Sequence, residues 1–309
     1  MRQRGVALIM AVLMVALATV IAVHLTTRAA LNLRRTMGLL TFDQGWHVAL
    51  GAEAWAIEVL RKDREDSPET DHPGENWAQP LPPLPVDGGE VRGALEDLQG
   101  RFNLNSLLGA NGTVDDAGVE RFERLLANIG ADRRWARIMA DWVDSDTVPG
   151  FPDGAEDSVY LAQSPPYRTA NGPVTTTTEM LALPGMTLEE FQRIRPYVAA
   201  LPASVRRVNL CTASAPLLAA IAAGAGDFGD AESLTANRRN GCFPRIADLQ
   251  AVMDEATFHA LEPTIAETSN WFRTVTAVRI GTSELTLYSL IERSNTGVGR
   301  TVLRSTGTE

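Results

Sequence analysis

From Val6 to Leu25 the chain carries no formal charge, and His24 is the only strongly polar interruption. Twenty residues at ~1.5 Å each span the ~30 Å hydrocarbon core of a bilayer, so the pattern predicts a transmembrane segment over 6–26. Arg2 and Arg4 precede it, which places the N-terminal end on the cytoplasmic side and the rest of the chain across the membrane. An ordinary secretory signal would have a shorter apolar region, with small residues after it. Here the small residue, Gly5, comes first. Beyond the apolar run the period stays helical through Leu31, Leu39, Leu40, Val48, Ala52, Trp55, Val59 and Leu60, with no proline before Pro68. One helix over 6–65 is predicted, weakened in its middle by Gly38, Gly45 and Gly51. A helix apolar in its first half and amphipathic in its second suits a subunit that waits in a bilayer and later joins a helical bundle.

Residues 66–89, with prolines at 68, 73, 80, 82, 83 and 85, read as a linker. Strand-like runs follow at 90–98 and 101–107, hairpin-like about Gln99-Gly100, and strands return at 271–280, 284–293 and 298–304. Between these blocks the spacing predicts helices over 119–129, 133–142, 175–183, 187–199, 213–223, 245–252 and 254–261, with an extra strand at 205–210. The fold class is therefore α+β. An antiparallel sheet domain (90–108 and 268–309) carries a large inserted all-α domain (109–267).

Composition narrows the function. With 309 residues, 45% hydrophobic and 21% charged, the chain is neither disordered nor a multi-span membrane protein. Its net charge of -10 argues against nucleic acid as the principal partner, because a phosphate backbone needs clustered positive charge. No GxSxG, HExxH or P-loop is present and the four histidines are scattered, so the chain is not expected to be an enzyme. GAGDFG at 224–229 fits GxGxxG but follows an Ala-rich helix instead of a strand, and reads as a helix C-cap and loop. Residues 178–194 have the outline of a helix-hairpin-helix around Pro184-Gly185, a shape that can hold DNA backbone or simply pack two helices. Glu179, Glu189 and Glu190 outnumber Arg193 and Arg195 there, which favours packing.

The sharpest chemistry lies in DWVDSDTVPGFPDGAEDSVY, 141–160. Asp141, Asp144, Asp146, Asp153, Glu156 and Asp157 fall within seventeen residues without one Lys or Arg among them. Calcium takes six to eight oxygen ligands from flexible loops of this kind. The EF-hand spacing is absent, and a solvated acidic loop with helix-capping aspartates would look similar.

The basic leader ending in Gly5 before a long apolar helix resembles the class III leader of type IV pilins and type II secretion pseudopilins. GRFNLN (100–105), DWVDSD (141–146), GAEDSVY (154–160), PPYRTANGP (165–173) and VNLCTA (208–213), in that order, resemble as a set the K-type minor pseudopilin, the general secretion pathway protein K. The resemblance implies a pilin-like fold with an inserted α domain that binds Ca2+, carried over to Asp144, Asp146, Asp153, Glu156 and Asp157 as a group. It also implies that prepilin peptidase removes the leader 1–5 between Gly5 and Val6 and that the new terminus is methylated. The product would be a single-pass inner-membrane protein with its bulk in the periplasm, capping the pseudopilus tip with I- and J-type minor pseudopilins and meeting secreted substrates there. Met10 stands at the fifth mature position, where most of the family carries a glutamate that pairs with the amino terminus of a neighbouring subunit. A periplasmic location further implies a disulfide between Cys211 and Cys242, two buried thiols being the alternative. The rival reading of the whole chain is a membrane-anchored DNA-binding or competence protein that uses its helix-hairpin-helix segment.

Overall fold

The computed structural model describes residues 4–79, 82–109, 112–223, 229–238 and 241–307. In chain order the elements are α1 (Arg4–Asp66), β1 (Leu84–Val86), β2 (Gly89–Asp97), β3 (Phe102–Asn103), α2 (Asp116–Asn128), α3 (Arg134–Val143), α4 (Asp157–Tyr160), α5 (Leu188–Ile194), β4 (Val198–Ala199), β5 (Val208–Asn209), α6 (Ala215–Ala222) and α7 (Ala231–Asn237). They continue through α8 (Ile246–Val252), α9 (Glu255–Leu261), β6 (Ile265–Ala266), β7 (Trp271–Ile280), β8 (Ser283–Arg293) and β9 (Gly299–Thr306).

The long helix forms as expected, 63 residues without a break at any of its glycines. Its first half touches nothing: the apolar window is 0% buried, as a segment made for lipid or for other helices should be. Its second half lies on an antiparallel sheet of order β1-β2-β7-β8-β9. Strict alternation along β8 turns Leu285, Leu287, Ser289, Ile291 and Arg293 inward, under α1. Ala49 packs with Val91, Val278, Ile280 and Leu287, while Leu60 packs with Trp77, Phe272 and Ile291. Close approach needs Gly299, where a Cβ would lie 2.8 Å from Ile57 Cγ2. Val48 and Val59 are thus partly covered by the protein's own sheet, whereas Leu39 (67% exposed) and Trp55 (44%) stay free.

This register fixes which end of the sheet is which. Gly45 faces Val278, Ile280 and Leu285 near the β7–β8 turn, and Asp63 faces Arg293 at the opposite end. The chain leaves the sheet at Asp97 and returns at Trp271, beside Phe272 and the last turns of α1. The inserted domain is therefore joined at the end farthest from the apolar half of the helix. A buried polar cluster holds the joint. Arg293, fully buried, donates to Leu60 O (3.1 Å), Asp63 Oδ2 (3.0 Å), Ser269 O (2.7 Å) and Asp71 Oδ1, and its guanidinium lies 4.7 Å from the Phe272 ring centre. Asp97 accepts from Thr212 Oγ1 (2.5 Å), Ser269 Oγ (2.7 Å) and Asn209 Nδ2 (2.9 Å), and burial raises its pKa.

Several boundaries differ from the sequence reading. Residues 101–107 do not continue the sheet as a hairpin strand. Phe102 and Asn103 pair in parallel with Val198 and Ala199, a 3-10 turn covers Leu104–Leu107, and Phe102, Leu104 and Leu107 enter the core of the inserted domain. The sheet domain accordingly ends at Asp97. The region read as a linker, 66–89, supplies β1 to the sheet edge and Trp77 to the core, edge-on to Phe272 at 5.3 Å. The inserted domain is not all-α, since β3–β4 and β5–β6 form two short parallel pairs. The predicted helix at 187–199 stops at Ile194, before Pro196, and 175–183 is a 3-10 turn over Thr177–Ala182. Met180, Phe191 and Ile194 of the hairpin-like segment are buried in the same core as Phe122, Trp135 and Leu217. Cys211 and Cys242 are bridged, with Cα atoms 4.6 Å apart. Most of the GxGxxG segment, 224–228, lies outside the described residues.

Candidate metal centre

Helix α3 buries Trp135, Ile138, Met139, Trp142 and Val143 on the core side, which carries Asp141 inward with them to 2% exposure. The helix ends at Asp144, whose extended backbone turns the chain out into the acidic loop. Asp141 anchors that loop: Gly150 N donates to both of its carboxylate oxygens (3.2 and 3.0 Å), and Gly154 N closes a turn on Gly150 O (2.6 Å). Only glycine fits at 154, where a Cβ would sit 2.3 Å from Asp141 Oδ2. The loop then returns through Ala155 and Glu156, both buried, into α4.

The return brings Asp144, Asp146 and Glu156 together, each offering a carboxylate oxygen within 4.8 Å of the others. Asp144 (3% exposed) and Glu156 (2%) are buried, and Asp144 Oδ1 and Glu156 Oε1 have no hydrogen-bond partner. Buried orphan acceptors are uncommon because each forfeits its hydration. Burial, then the charges of Asp146 and Asp141, push the Asp144 carboxyl up to about 6. Burial likewise pushes Glu156 to about 7, against the hydrogen bond from Thr169 Oγ1 (3.2 Å). Oxygen-only donors, free of His and Cys, suit a hard divalent cation such as Ca2+. The residues fit the ion: two unpaired inward-facing carboxylate oxygens and a third at the rim.

Two residues of the expected set stand apart. Asp153 is exposed on the outer part of the loop and does not join the cluster. Asp157 turns away, accepting from Thr169 N (3.2 Å) and Oγ1 (3.1 Å) and pairing with Arg168 (3.2 Å). One neighbour escaped the sequence reading. Asn171, at φ 46°, donates to Asp146 O (3.1 Å) while its own buried Oδ1 lacks a partner. Its signal was the Asn-Gly pair inside PPYRTANGP. A second acidic trio, Asp63, Asp71 and Glu75, is already satisfied by Arg293, Arg64, the His72 N–H and Trp77 Nε1.

Residues 100–203, which contain the whole centre, match the family model described as type II secretion system protein K. The chain is 35% identical to type II secretion system protein K of Pseudomonas aeruginosa, across 99% of this chain and 93% of that one. This chain belongs to the type II secretion system protein K family. The Klebsiella pneumoniae protein K is 34% identical over 96% of this chain and 95% of its own length. Among solved structures, a chain of the GspK-GspI-GspJ complex from enterotoxigenic Escherichia coli superposes with a TM-score of 0.78 and 25% identity, covering 89% of this chain and 100% of that one. As a protein K, the molecule is a minor pseudopilin of type II secretion: a component with a long apolar N-terminal helix and a pilin-like sheet. Nothing in these likenesses favours the DNA-binding alternative.

Proposed function

We propose that this protein K caps the membrane-distal tip of the pseudopilus, serving assembly and export of folded proteins without catalysis. One observation carries the reading: the inserted domain joins the sheet at Asp97 and Trp271, at the far end of α1 from its apolar half. In a filament built from parallel long helices, that end is where the next subunit up would sit, and the extra domain obstructs it. The apolar half of α1 anchors the subunit in the inner membrane, with the head in the periplasm. Prepilin peptidase cuts between Gly5 and Val6, and the new terminus is methylated. Exposed apolar residues between membrane and head, including Leu31, Leu39, Leu40 and Phe42, pack against the helices of I- and J-type minor pseudopilins. The named complex of the structural relative supports such partners. A Ca2+ ion held by Asp144, Asp146 and Glu156 ties the α3 end to the returning loop, its role being conformational. Tagged protein should decorate one end of overexpressed filaments. Label along their whole length would overturn the capping role, and an intact Met1 on the protein from secreting cells would overturn the processing.

A further inference from the structure

The root of the inserted domain holds a recess whose charge runs against that of the whole chain. It lies where the segment after β2 (99–106), helix α2 and the stretch before β5 (201–208) meet. Four arginines line it, Arg101, Arg121, Arg206 and Arg207, and no described Asp or Glu does. The local sequence explains the crowding. Helix α2 buries Val119, Phe122 and Leu125, and Arg121, adjacent to Phe122, is half-buried beside them. In VRRVN (205–209), Val208 and Asn209 are buried in the β5–β6 pair, which brings Arg206 and Arg207 to the recess just before it. Only some of this charge is answered. Glu96 pairs with Arg101 (2.8 Å) and also with Arg273, while Asp115 pairs with Arg206 (3.1 Å), which donates to Leu108 O as well. Arg121 and Arg207 make no side-chain hydrogen bond or ion pair among the described residues. Two carboxylates against four guanidinium groups leave a surplus of two positive charges, in a chain of net charge -10. Burial lowers the pKa of Arg121; Asp115 opposes this, and Arg124 and Arg206 add to it. A guanidinium held part-way out of water without a counter-charge is costly, and a bound anion removes the cost.

We propose that Arg121 and Arg207 bind a dianionic phosphate group at the root of the inserted domain. The surplus of two charges matches a dianion, and the planar fork of a guanidinium donates in pairs to phosphate oxygens. A single carboxylate answers only half of that charge. The enclosed part of the recess has room for about one water, enough for one oxygen of an anion seated in the mouth. Free phosphate and the phosphomonoester head of a lipid share this chemistry. The site has no residue in common with the Asp144, Asp146 and Glu156 centre, and it is independent of the tip-capping role.

The test uses the full chain held by α1 in phosphatidylcholine nanodiscs, stripped of metal so that phosphate cannot act through calcium. Calorimetric titration with inorganic phosphate at constant ionic strength should show saturable binding at one site. Arg121→Gln and Arg207→Gln should each weaken it roughly 10-fold or more. Arg121 has no partner to lose, so without phosphate Arg121→Gln should melt no lower than wild type. If it does melt lower, the exposed Arg207→Gln carries the test. Arg300→Gln, whose arginine pairs with Glu292 on the sheet (2.6 Å), is the control and should bind as wild type does. Short-chain phosphatidic acid, added below its micellar concentration, separates the two sources. Competition with phosphate identifies a lipid head, and phosphate binding without competition identifies the free ion; either result supports the site. No saturable binding to wild type, equal binding by Arg121→Gln and Arg207→Gln, equal weakening by Arg300→Gln, or an equal response to acetate would overturn the proposal.

Discussion

Replacing Glu156 with glutamine separates two effects that a metal-binding cluster should show together. Glu156 is nearly isosteric with glutamine, so the change keeps the packing and the acceptor toward Thr169 while removing one charge from a trio within 4.8 Å. At an effective dielectric of 20, each like-charged pair at that separation costs on the order of 3 kcal/mol, and burial adds to it. In chelator, therefore, Glu156→Gln should melt no lower than the wild type, and higher if repulsion dominates. With calcium the order should reverse. A ligand at 100 times its Kd stabilises the native state by about 2.7 kcal/mol, which is about 5–10 °C in Tm for a domain of 150–250 residues. Wild type should gain that increment and Glu156→Gln should lose most of it. Asp153→Asn is the control, since Asp153 lies outside the cluster and its replacement should leave the increment intact. Differential scanning calorimetry on metal-stripped protein, checked by elemental analysis, reads all three. An equal calcium increment in Glu156→Gln and wild type would refute the assignment of these ligands, and no increment in wild type would refute the centre itself.

Three further outcomes follow from the packing. Cys211→Ser with Cys242→Ser opens a loop with a sequence separation of 31 and should cost about 3–4 kcal/mol, seen as a lower denaturant midpoint. Trp55→Glu should weaken assembly with the other minor pseudopilins while changing Tm little, because Trp55 is 44% exposed; light-scattering mass of the mixture reads the first effect and a melt the second. Asp63 titrates at about 7 in the folded chain, raised first by burial, against 3.8 for the free group. Its contribution to stability is thus fullest below pH 3.8 and falls as pH rises to about 7, and Asp63→Asn should remove that fall from the stability–pH profile.

What the sequence disclosed and what it hid have the same physical origin. Local periodicity suffices where an element buries one continuous face, so α1 and the three strands β7, β8 and β9 were legible to within a few residues. Alternation misled at 101–107. Phe102 and Leu104 alternate with Asn103 and Asn105 as a strand would, but both asparagines spend their side chains on distant backbone. Asn103 Nδ2 donates to Pro202 O and Val205 O, and Asn105 Nδ2 to Val174 O and Leu201 O. Those partners are 69 to 102 positions away, beyond any local pattern. Helix α7 was invisible because AESLTAN buries only Leu234 and relies on the Asp230 cap, whose side chain accepts from Ser233 N at 2.8 Å. The acidic segment marked a candidate metal centre by composition. Which carboxylates converge depends on Gly154 folding the loop back against Asp141, and that turn divides Glu156 from Asp157 although they are neighbours.

Met10 and the inserted domain bear on the same question from opposite ends of α1. In the resemblance that the leader carries, a glutamate at the fifth mature position neutralises the amino terminus of a neighbouring subunit within the bundle. An ammonium buried in an apolar bundle without a counter-charge costs several kcal/mol. Met10 is uncharged and lies 59% exposed on the free half of α1, so this chain has nothing at that level to offer such a neighbour. A subunit with neighbours both above and below would need that charge, whereas one with none above does not. At the other end of the helix, the inserted domain is joined at Asp97 and Trp271, on the side where a second head would stack. Their coincidence has one economical explanation, a subunit that begins the filament. Met10→Glu then gives an asymmetric expectation. Placing a carboxylate there should leave the tip complex intact, since nothing above requires it. It should not convert the subunit into one that repeats along the filament, because the steric block remains. Filaments carrying Met10→Glu protein along their length would show that charge, and not the inserted domain, keeps this chain at the end.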